Sequence, residues 1–469
     1  MLQKRIGFLF AVGAVLLCGQ VSFAQTALKV DTFVADYMKK NHVPGLSLAV
    51  VKEGKIVMAK GYGIANLEAM HRASAESVYQ LASVTKQFTA TGIMMLWQEG
   101  KIGLEDKITK HLSYLPSIWG EVTVHQLLNH TSGIPSYTDL PDFFENGNQR
   151  RELTPTAILK MVSTKPVDFA PGTDWHYNNT GFYLLGLLIE KVSGQKYGDF
   201  LKERIFTPLG MTQTRLNDMR AVIPNRVTGY AWEGKQIRNG EYVSPTQPFS
   251  AGALVSTVLD MAKWDAALYT EQILKQSTLK MMWTTTPLPK KEPAAYGFGW
   301  MVSKRSGHTL ISHGGGIDGF STYIARLVDD KTTIIALLNQ EAGNAERLAF
   351  GVAEIYVPSL KEVPKNEIAD SDMKLTGTLK EVLTEAVQGR VNSDLFEAEV
   401  AKTLVPRIQS GKEQLAGFGA LQKFQLIERV EKEGMRRLQY RARFQNLTAK
   451  VTFVLNKESK IIGMNLSPE

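Results

Sequence analysis

Apolar and polar positions divide the chain into recognisable segments. An amphipathic stretch around Asp31 to Asn41 predicts a helix, and Gly45 to Val51, the Glu53-Gly54 turn and Lys55 to Tyr62 predict the hairpin that follows it. From Ser83 to Glu99 the apolar residues Phe88, Ile93, Met94, Leu96 and Trp97 suit a largely buried helix closed by Gly100, with Ser83 in its first turn. Between about Val122 and Thr286, helical runs such as Gly181 to Val192 and Leu259 to Tyr269 alternate with loops rich in Pro, Asn and Gly. Strand patterns return at Gly299 to Ser303, Thr309 to His313, Phe320 to Leu327 and Thr332 to Asn339. Strands from both ends around a helical middle predict one antiparallel sheet completed by distant segments, flanked by helices and carrying an inserted helical lobe over residues 25–360.

Residues 361–371, a polar stretch with Pro364, Asn366 and Asp370, predict a linker. Beyond it, 372–469 predicts a small α+β domain. Its helices are Leu375 to Val387 and Asp394 to Ile408, and its four-stranded meander is Leu421 to Val430, Arg436 to Phe444, Thr448 to Leu455 and Lys460 to Leu466. Leu438, Tyr440, Ala442 and Phe444 alternate as one buried face would. No cluster of catalytic residue types occurs in this domain, so a binding or stabilising role is expected of it.

The amino terminus changes the expected location. Lys4 and Arg5 precede the apolar stretch Ile6 to Leu17, and Ser22-Phe23-Ala24 offers a small-residue cleavage site before Gln25. This predicts a signal peptide over 1–24 and a periplasmic or secreted protein. The apolar stretch falls short of the roughly 20 residues a spanning helix needs, and no later segment reaches that length. The one cysteine, Cys18, lies inside the signal, so the mature chain is expected to hold no disulfide. Leu17 stands before it where lipoprotein signals carry a small residue, so a lipid anchor is not expected. The 469 residues carry a formal charge of +8, spread without a Lys/Arg run, which argues against a nucleic-acid partner. The eight histidines form no His-Glu-x-x-His cluster, and His125 and His130 flank an apolar Leu-Leu pair as scaffold residues would. No metal and no cofactor are expected.

Three segments carry chemistry. Ser83-Val84-Thr85-Lys86 places a hydroxyl and an amine on one helical face. Ser193 with Lys196, Ser277 with Lys280 and Ser371 with Lys374 share the spacing, but Ser193 looks like a helix end, Ser277 like a cap on a polar face, and Ser371 falls in the linker. Only Ser83 leads a buried helix, where desolvation can bring a lysine down from its usual pKa of about 10.4 toward a value useful for a base. In the loop Pro171 to Gly181, Tyr177 can relay or accept the serine proton, while Asn179 can hold substrate and tie down Lys86. In Ser312 to Gly319, at a strand end, glycines admit a ligand and strand N–H groups can face an oxyanion. Ser83 has no Gly-x-Ser-x-Gly elbow, which argues against a Ser-His-Asp hydrolase.

Together these segments resemble the serine β-lactamase and penicillin-binding superfamily, and most closely its class C β-lactamase-like branch of D,D-peptidases, D-aminopeptidases and esterases. Val122 to Ile134 and Tyr183 to Glu190 support the resemblance, which runs from about Phe33 to Val357. It implies a β-lactamase-like α/β (α+β) fold and a serine hydrolase that cleaves an ester or amide through an acyl-enzyme on Ser83. Lys86 and Tyr177 would shuttle protons. Asn179, His313, Gly314 and Gly315 would bind substrate, and the N–H groups of Ser83 and Gly316 would form the oxyanion hole. The expected partner is a small molecule or peptide, with cell-wall material among the candidates. His313-Gly314-Gly315 stands where β-lactamases of this branch carry Lys-Thr-Gly, so the fixed cation for a substrate carboxylate is missing and efficient β-lactam hydrolysis is not expected. Two other readings stay open: a weak β-lactamase, and a non-catalytic envelope-binding protein that uses the same cleft.

Overall fold

The apolar run Gly45–Lys52 forms strand β1, and every residue but the last is buried, because this strand lies inside a sheet covered on both faces. The structure, a computed structural model, describes residues 25–141, 143, 147–289, 291–361, 365–411, 415–432 and 434–468. The signal peptide read at 1–24, with Cys18, lies outside these residues. The chain divides into two units, the first ending at Lys361 and the second beginning at Glu362.

In the first unit, β1 is joined by β2 (Lys55–Asn66), β3 (His71–Arg72), β4 (Met301–Arg305), β5 (His308–Ile317), β6 (Phe320–Leu327) and β7 (Thr332–Leu338). Across the sheet the order is β4-β5-β6-β7-β1-β2-β3, and every neighbouring pair is antiparallel. β1 meets β7 in the register Leu46–Leu338, Leu48–Ala336 and Val50–Ile334. The seam is pinned where the Gly45 N–H donates to Asn339 Oδ1 at 2.7 Å. Alternate side chains serve separate cores. Leu46, Leu48 and Val50 pack with Val30 and Val34 of helix α1 (residues 25–41) and with Leu348 and Val352, while Ala49, Val51, Ile335 and Leu337 share a larger core with the lobe.

The lobe lies between β3 and β4 and includes α2 (Lys86–Gln98), α3 (Asn179–Ser193) and α4 (Val258–Ala267); α5 (Ala345–Tyr356) follows the sheet. All residues of α2 from Lys86 to Leu96 are buried. Arg326 of β6 ties α4 to the sheet: its Nε donates to Asp265 Oδ1 at 2.6 Å, both side chains are buried, and the guanidinium lies 4.8 Å from the Tyr269 and Trp283 rings. Ser83 sits in a 3-10 turn, Ala82–Thr85, that feeds α2. Ser277 falls inside the helix Gln276–Met282 and does not cap it.

The second unit contains α6 (Met373–Val387), α7 (Ala398–Ser410) and the meander β8 (Leu421–Lys432), β9 (Met435–Phe444), β10 (Thr448–Leu455) and β11 (Ile461–Pro468), in that spatial order. Leu438, Tyr440, Ala442 and Phe444 all face its core. The helix expected from Asp394 starts later, because Phe396 adopts an extended conformation and bridges Ile461. Residues read as linker run along β8: the Ile368 N–H donates to the Leu426 carbonyl at 2.9 Å, and Arg429 Nη1 donates to Ser371 Oγ at 2.6 Å. No helix among the described residues is long and apolar enough to cross a membrane.

Candidate active site

The turn carrying Ser83 is held from two sides. Ala82 adopts φ 47°, a strained conformation for a residue with a side chain. On the lobe side the Leu81 N–H donates to the Leu254 carbonyl at 2.8 Å and the Leu254 N–H donates to Thr85 Oγ1 at 3.1 Å. On the sheet side Thr322 Oγ1 donates to the Leu81 carbonyl at 2.8 Å. These bonds offset the strain and fix Ser83 at the start of α2.

Lys86 is fully buried. Its Nζ lies 3.1 Å from Ser83 Oγ, 2.8 Å from Asn179 Oδ1 and 2.8 Å from the Ala251 carbonyl. Burial pushes its pKa well below the usual 10.5. Asn179 is fixed in turn: its Nδ2 donates to Thr138 Oγ1 at 2.9 Å and its backbone N–H to Ser136 Oγ at 3.2 Å. The Tyr177 ring centroid lies 4.7 Å from Lys86 Nζ. The Tyr177 hydroxyl is buried and closes no hydrogen bond of ordinary geometry. Burial raises its pKa above 10, and the Ser83 hydroxyl is the group pulling it back.

Behind Tyr177 lie two histidines. His130 accepts the Asn178 N–H on Nδ1 at 3.1 Å and packs its ring 4.5 Å from that of Tyr177. His313 contacts Tyr296 Oη through Nε2 at 2.9 Å and the Gly314 carbonyl through Nδ1 at 2.7 Å. A carbonyl only accepts, so Nδ1 carries the proton and Nε2 accepts from the Tyr296 hydroxyl. Burial first, then the Lys86 charge, lowers the His313 pKa from 6.5 to about 3, against a smaller opposing effect of Gly314. His313 is therefore a neutral imidazole.

The sheet meets the Ser83 turn at glycine. A Cβ on Gly315 would lie 2.2 Å from the Leu81 carbonyl oxygen and 3.1 Å from Ala82 Cβ, whereas one on Gly316 would meet nothing within 4 Å. A cavity of about 380 Å³ opens here, with Ser83, Asn179, Gly316, Ala251 and Thr138 in its wall.

Five residues singled out from sequence thus converge: Ser83, Lys86, Tyr177 and Asn179 in one contact network, with Gly316 on the same cavity. His313, Gly314 and Gly315 depart from the expected substrate contact. His313 is 3% exposed and turned to Tyr296, and Gly314 and Gly315 line a separate recess with Ser312 and Tyr323. Gly314 packs on Tyr323 and Gly315 on Leu81 and Ala82, whereas the space beside Gly316 is open, and Gly316 is the glycine of the three that lines the cavity. Sequence reasoning missed the Ala251 carbonyl, Ser136, Thr138 and Tyr296. A backbone carbonyl or a short polar residue on a distant loop leaves no spacing signal; only Tyr296, close before β4, lay within reach. Among the described residues no group of three or more His, Cys, Asp or Glu could hold a metal ion.

Comparison with known proteins shows which fold and family the chain shares. The solved structure of a D-amino acid amidase from Ochrobactrum anthropi SV3, complexed with L-phenylalanine amide, is similar with a TM-score of 0.63 and 26% identity over 71% of this chain and 99% of that one. An octameric penicillin-binding protein homologue from Pyrococcus abyssi shares the fold with a TM-score of 0.65, at 24% identity over 94% of this chain and 99% of that one. A penicillin-binding protein of Bacillus subtilis (strain 168) is 30% identical over 431 residues, 83% of this chain and 94% of the relative. The family model described as Beta-lactamase matches residues 30–355. On that match and that identity, the chain belongs to the beta-lactamase family, within the superfamily of serine β-lactamases and penicillin-binding proteins.

Proposed function

We propose that this protein is an exported hydrolase that cleaves an ester or amide through an acyl-enzyme on Ser83. The observation that carries the reading is the environment of Lys86 Nζ. Two of its neighbours, Asn179 Oδ1 and the Ala251 carbonyl, take N–H groups; the third, 3.1 Å away, is the Ser83 hydroxyl. A neutral amine has two N–H groups and one lone pair. With both N–H groups engaged, the lone pair is left for the serine proton, and burial favours that neutral form.

In acylation Ser83 Oγ bonds to the carbonyl carbon while its proton passes to Lys86. The negative oxygen is met by the N–H groups of Ser83 and Gly316, each such donor being worth about a hundredfold to a thousandfold in rate. Collapse breaks the bond to the leaving group, which takes up a proton from Tyr177, and Lys86 returns its proton to Tyr177. The raised pKa of Tyr177 supports a phenol that relays protons over a standing phenolate. Water then attacks the acyl carbon by the same route, giving the acid and free Ser83. His313 and Tyr296 act behind Tyr177, packing its ring. The small carboxy-terminal unit serves binding or stability.

An amide of a D-amino acid is a fitting substrate, since a relative of similar fold is named for that activity. The neutral His313 argues against a β-lactam as the main substrate. Hydrolysis of p-nitrophenyl esters, a chromogenic cephalosporin and D-Ala-D-Ala peptides, each with wild type and Ser83→Ala, tests the reading. Ser83-dependent turnover of an ester or peptide is expected, with the cephalosporin slowest; equal rates in Ser83→Ala would refute it.

A further inference from the structure

The Tyr177 hydroxyl has to serve Ser83 and the leaving group, yet it closes no hydrogen bond of ordinary geometry. The working end of this side chain is thus not what holds it in place. Its main chain and the back of its ring are, and His130 meets both. The His130 carbonyl accepts the His176 N–H at 3.1 Å, and the His130 ring accepts the Asn178 N–H on Nδ1 at 3.1 Å. One residue grips the chain immediately before and immediately after Tyr177. Its ring also lies 4.5 Å from that of Tyr177, nearer than the rings of Tyr296 and His313 at 6.2 Å. The grip carries on into α3, because Asn178 Oδ1 accepts the Gly181 N–H at 2.6 Å and caps that helix.

Stability alone would not select histidine here. His130 follows Asn129, the C-cap of the short helix Val124–Leu128, and adopts φ 64°. That left-handed position suits glycine, and a side chain there is strained. Because Nδ1 accepts, the ring proton sits on Nε2, and this N–H is buried without a hydrogen-bond partner among the described residues. A buried donor left unmet is destabilising. Strain of this kind persists where the surroundings impose it, above all at functional sites. What histidine supplies at this place, and glycine would not, is an aromatic ring with an acceptor aimed at the Asn178 N–H. Burial lowers the His130 pKa well below 6.5, so the ring stays neutral and Nδ1 keeps its lone pair. His130 is 1% exposed and is not among the residues lining the Ser83 cavity, so any effect it has on the reaction passes through Tyr177.

We propose that His130 is the positioning residue of Tyr177: its Nδ1 fixes the chain after the tyrosine, its carbonyl fixes the chain before it, and its ring backs the phenol, so that the hydroxyl reaches the proton path. The inference rests on the hydrolase reading and deepens it. It assigns to His130 a share of the turnover rate and none of substrate binding.

The test is a double-mutant cycle on a p-nitrophenyl ester. His130→Phe keeps a ring and removes the acceptor. His130→Asn keeps an acceptor, since Oδ1 stands as many bonds from the main chain as Nδ1, and asparagine tolerates a left-handed φ. His130→Phe should lower kcat by about a hundredfold, the effect of a displacement of about 1 Å, with KM within about threefold of wild type. His130→Asn should stay within about tenfold of the wild-type kcat. Placed in Tyr177→Phe, where no hydroxyl is left to misplace, His130→Phe should lower kcat by less than about threefold. A variant that merely folded less would lose the same factor in both backgrounds. Equal losses in the two backgrounds, or His130→Asn no better than His130→Phe, overturn the proposal. Amide hydrogen exchange over residues 174–180, followed by mass spectrometry without substrate, separates the two claims. It should be faster in His130→Phe than in wild type and His130→Asn; the same rate in all three would also overturn the proposal. Faster exchange in His130→Phe with no Ser83-dependent turnover by wild type would sink the hydrolase reading and keep the grip on the Tyr177 loop. Ser83-dependent turnover with equal losses in both backgrounds would do the reverse.

Discussion

Replacing Gly315 by alanine strikes where the sheet touches the catalytic turn. The added Cβ would stand 2.2 Å from the Leu81 carbonyl oxygen, 2.4 Å from Thr322 Oγ1 and 3.1 Å from Ala82 Cβ. The first two atoms are partners in the hydrogen bond that clamps Leu81 to the sheet. A carbon cannot approach oxygen that closely, so β5 must retreat by about 1 Å or the clamp must open. Overpacking costs about 1 to 3 kcal/mol and a lost hydrogen bond about 1 kcal/mol, together roughly 2 to 4 kcal/mol. A 1 Å displacement of the Gly316 N–H from the reacting oxygen costs about a hundredfold in kcat/KM. All seven tryptophans precede Lys361, so intrinsic fluorescence during urea unfolding reports the first unit alone. Gly316→Ala is the control for stability, since its Cβ would meet nothing within 4 Å; its unfolding midpoint should stay within about 0.5 kcal/mol of wild type. If Gly315→Ala kept wild-type stability and activity to within about twofold, the argument for a tight junction between β5 and the Ser83 turn would be wrong.

Tyr177→Phe should lower kcat by roughly 10²- to 10⁴-fold in ester hydrolysis yet leave the unfolding midpoint nearly unchanged, because the lost hydroxyl closes no hydrogen bond of ordinary geometry. His313 is held neutral down to a pKa of about 3 against 6.5 when unfolded. The unfolded chain therefore binds the proton first, and stability falls as pH drops from 6.5 toward 3, by up to about 1.4 kcal/mol per pH unit. In His313→Gln, urea midpoints at pH 7 and pH 4 should lie closer together than in wild type; part of the acid loss should remain, since burial pushes His130 in the same direction. Asp265→Ala would leave the Arg326 guanidinium buried without its carboxylate, at a cost of about 3 to 5 kcal/mol seen by tryptophan fluorescence.

Patterns of local origin were legible in the chain. The alternation Leu438, Tyr440, Ala442, Phe444 reads as one face of a strand, and all four pack in the core of the second unit. The Ser83–Lys86 spacing announced their contact, because three residues of helical chain bring side chains to one face. Features set by tertiary pairing were hidden. Nothing around Asp394 signals that Phe396 bridges Ile461 and delays α7. His313 lies in a Gly-rich strand end that reads as ligand-facing, yet its direction depends on Tyr296, whose hydroxyl it accepts. The Ala251 carbonyl, half of what holds Lys86 Nζ beside Asn179, carries no sequence mark at all.

The account turns on a neutral amine at Lys86. Rapid-mixing measurement of the acylation rate across pH with a p-nitrophenyl ester reads it directly, as release of one equivalent of p-nitrophenol per enzyme. The rising limb of that rate should have its midpoint well below 10.5, the direction in which burial moves this lysine, and the burst should vanish in Ser83→Ala. A limb centred at or above 10.5 would mean that Lys86 is charged at working pH and cannot take the serine proton.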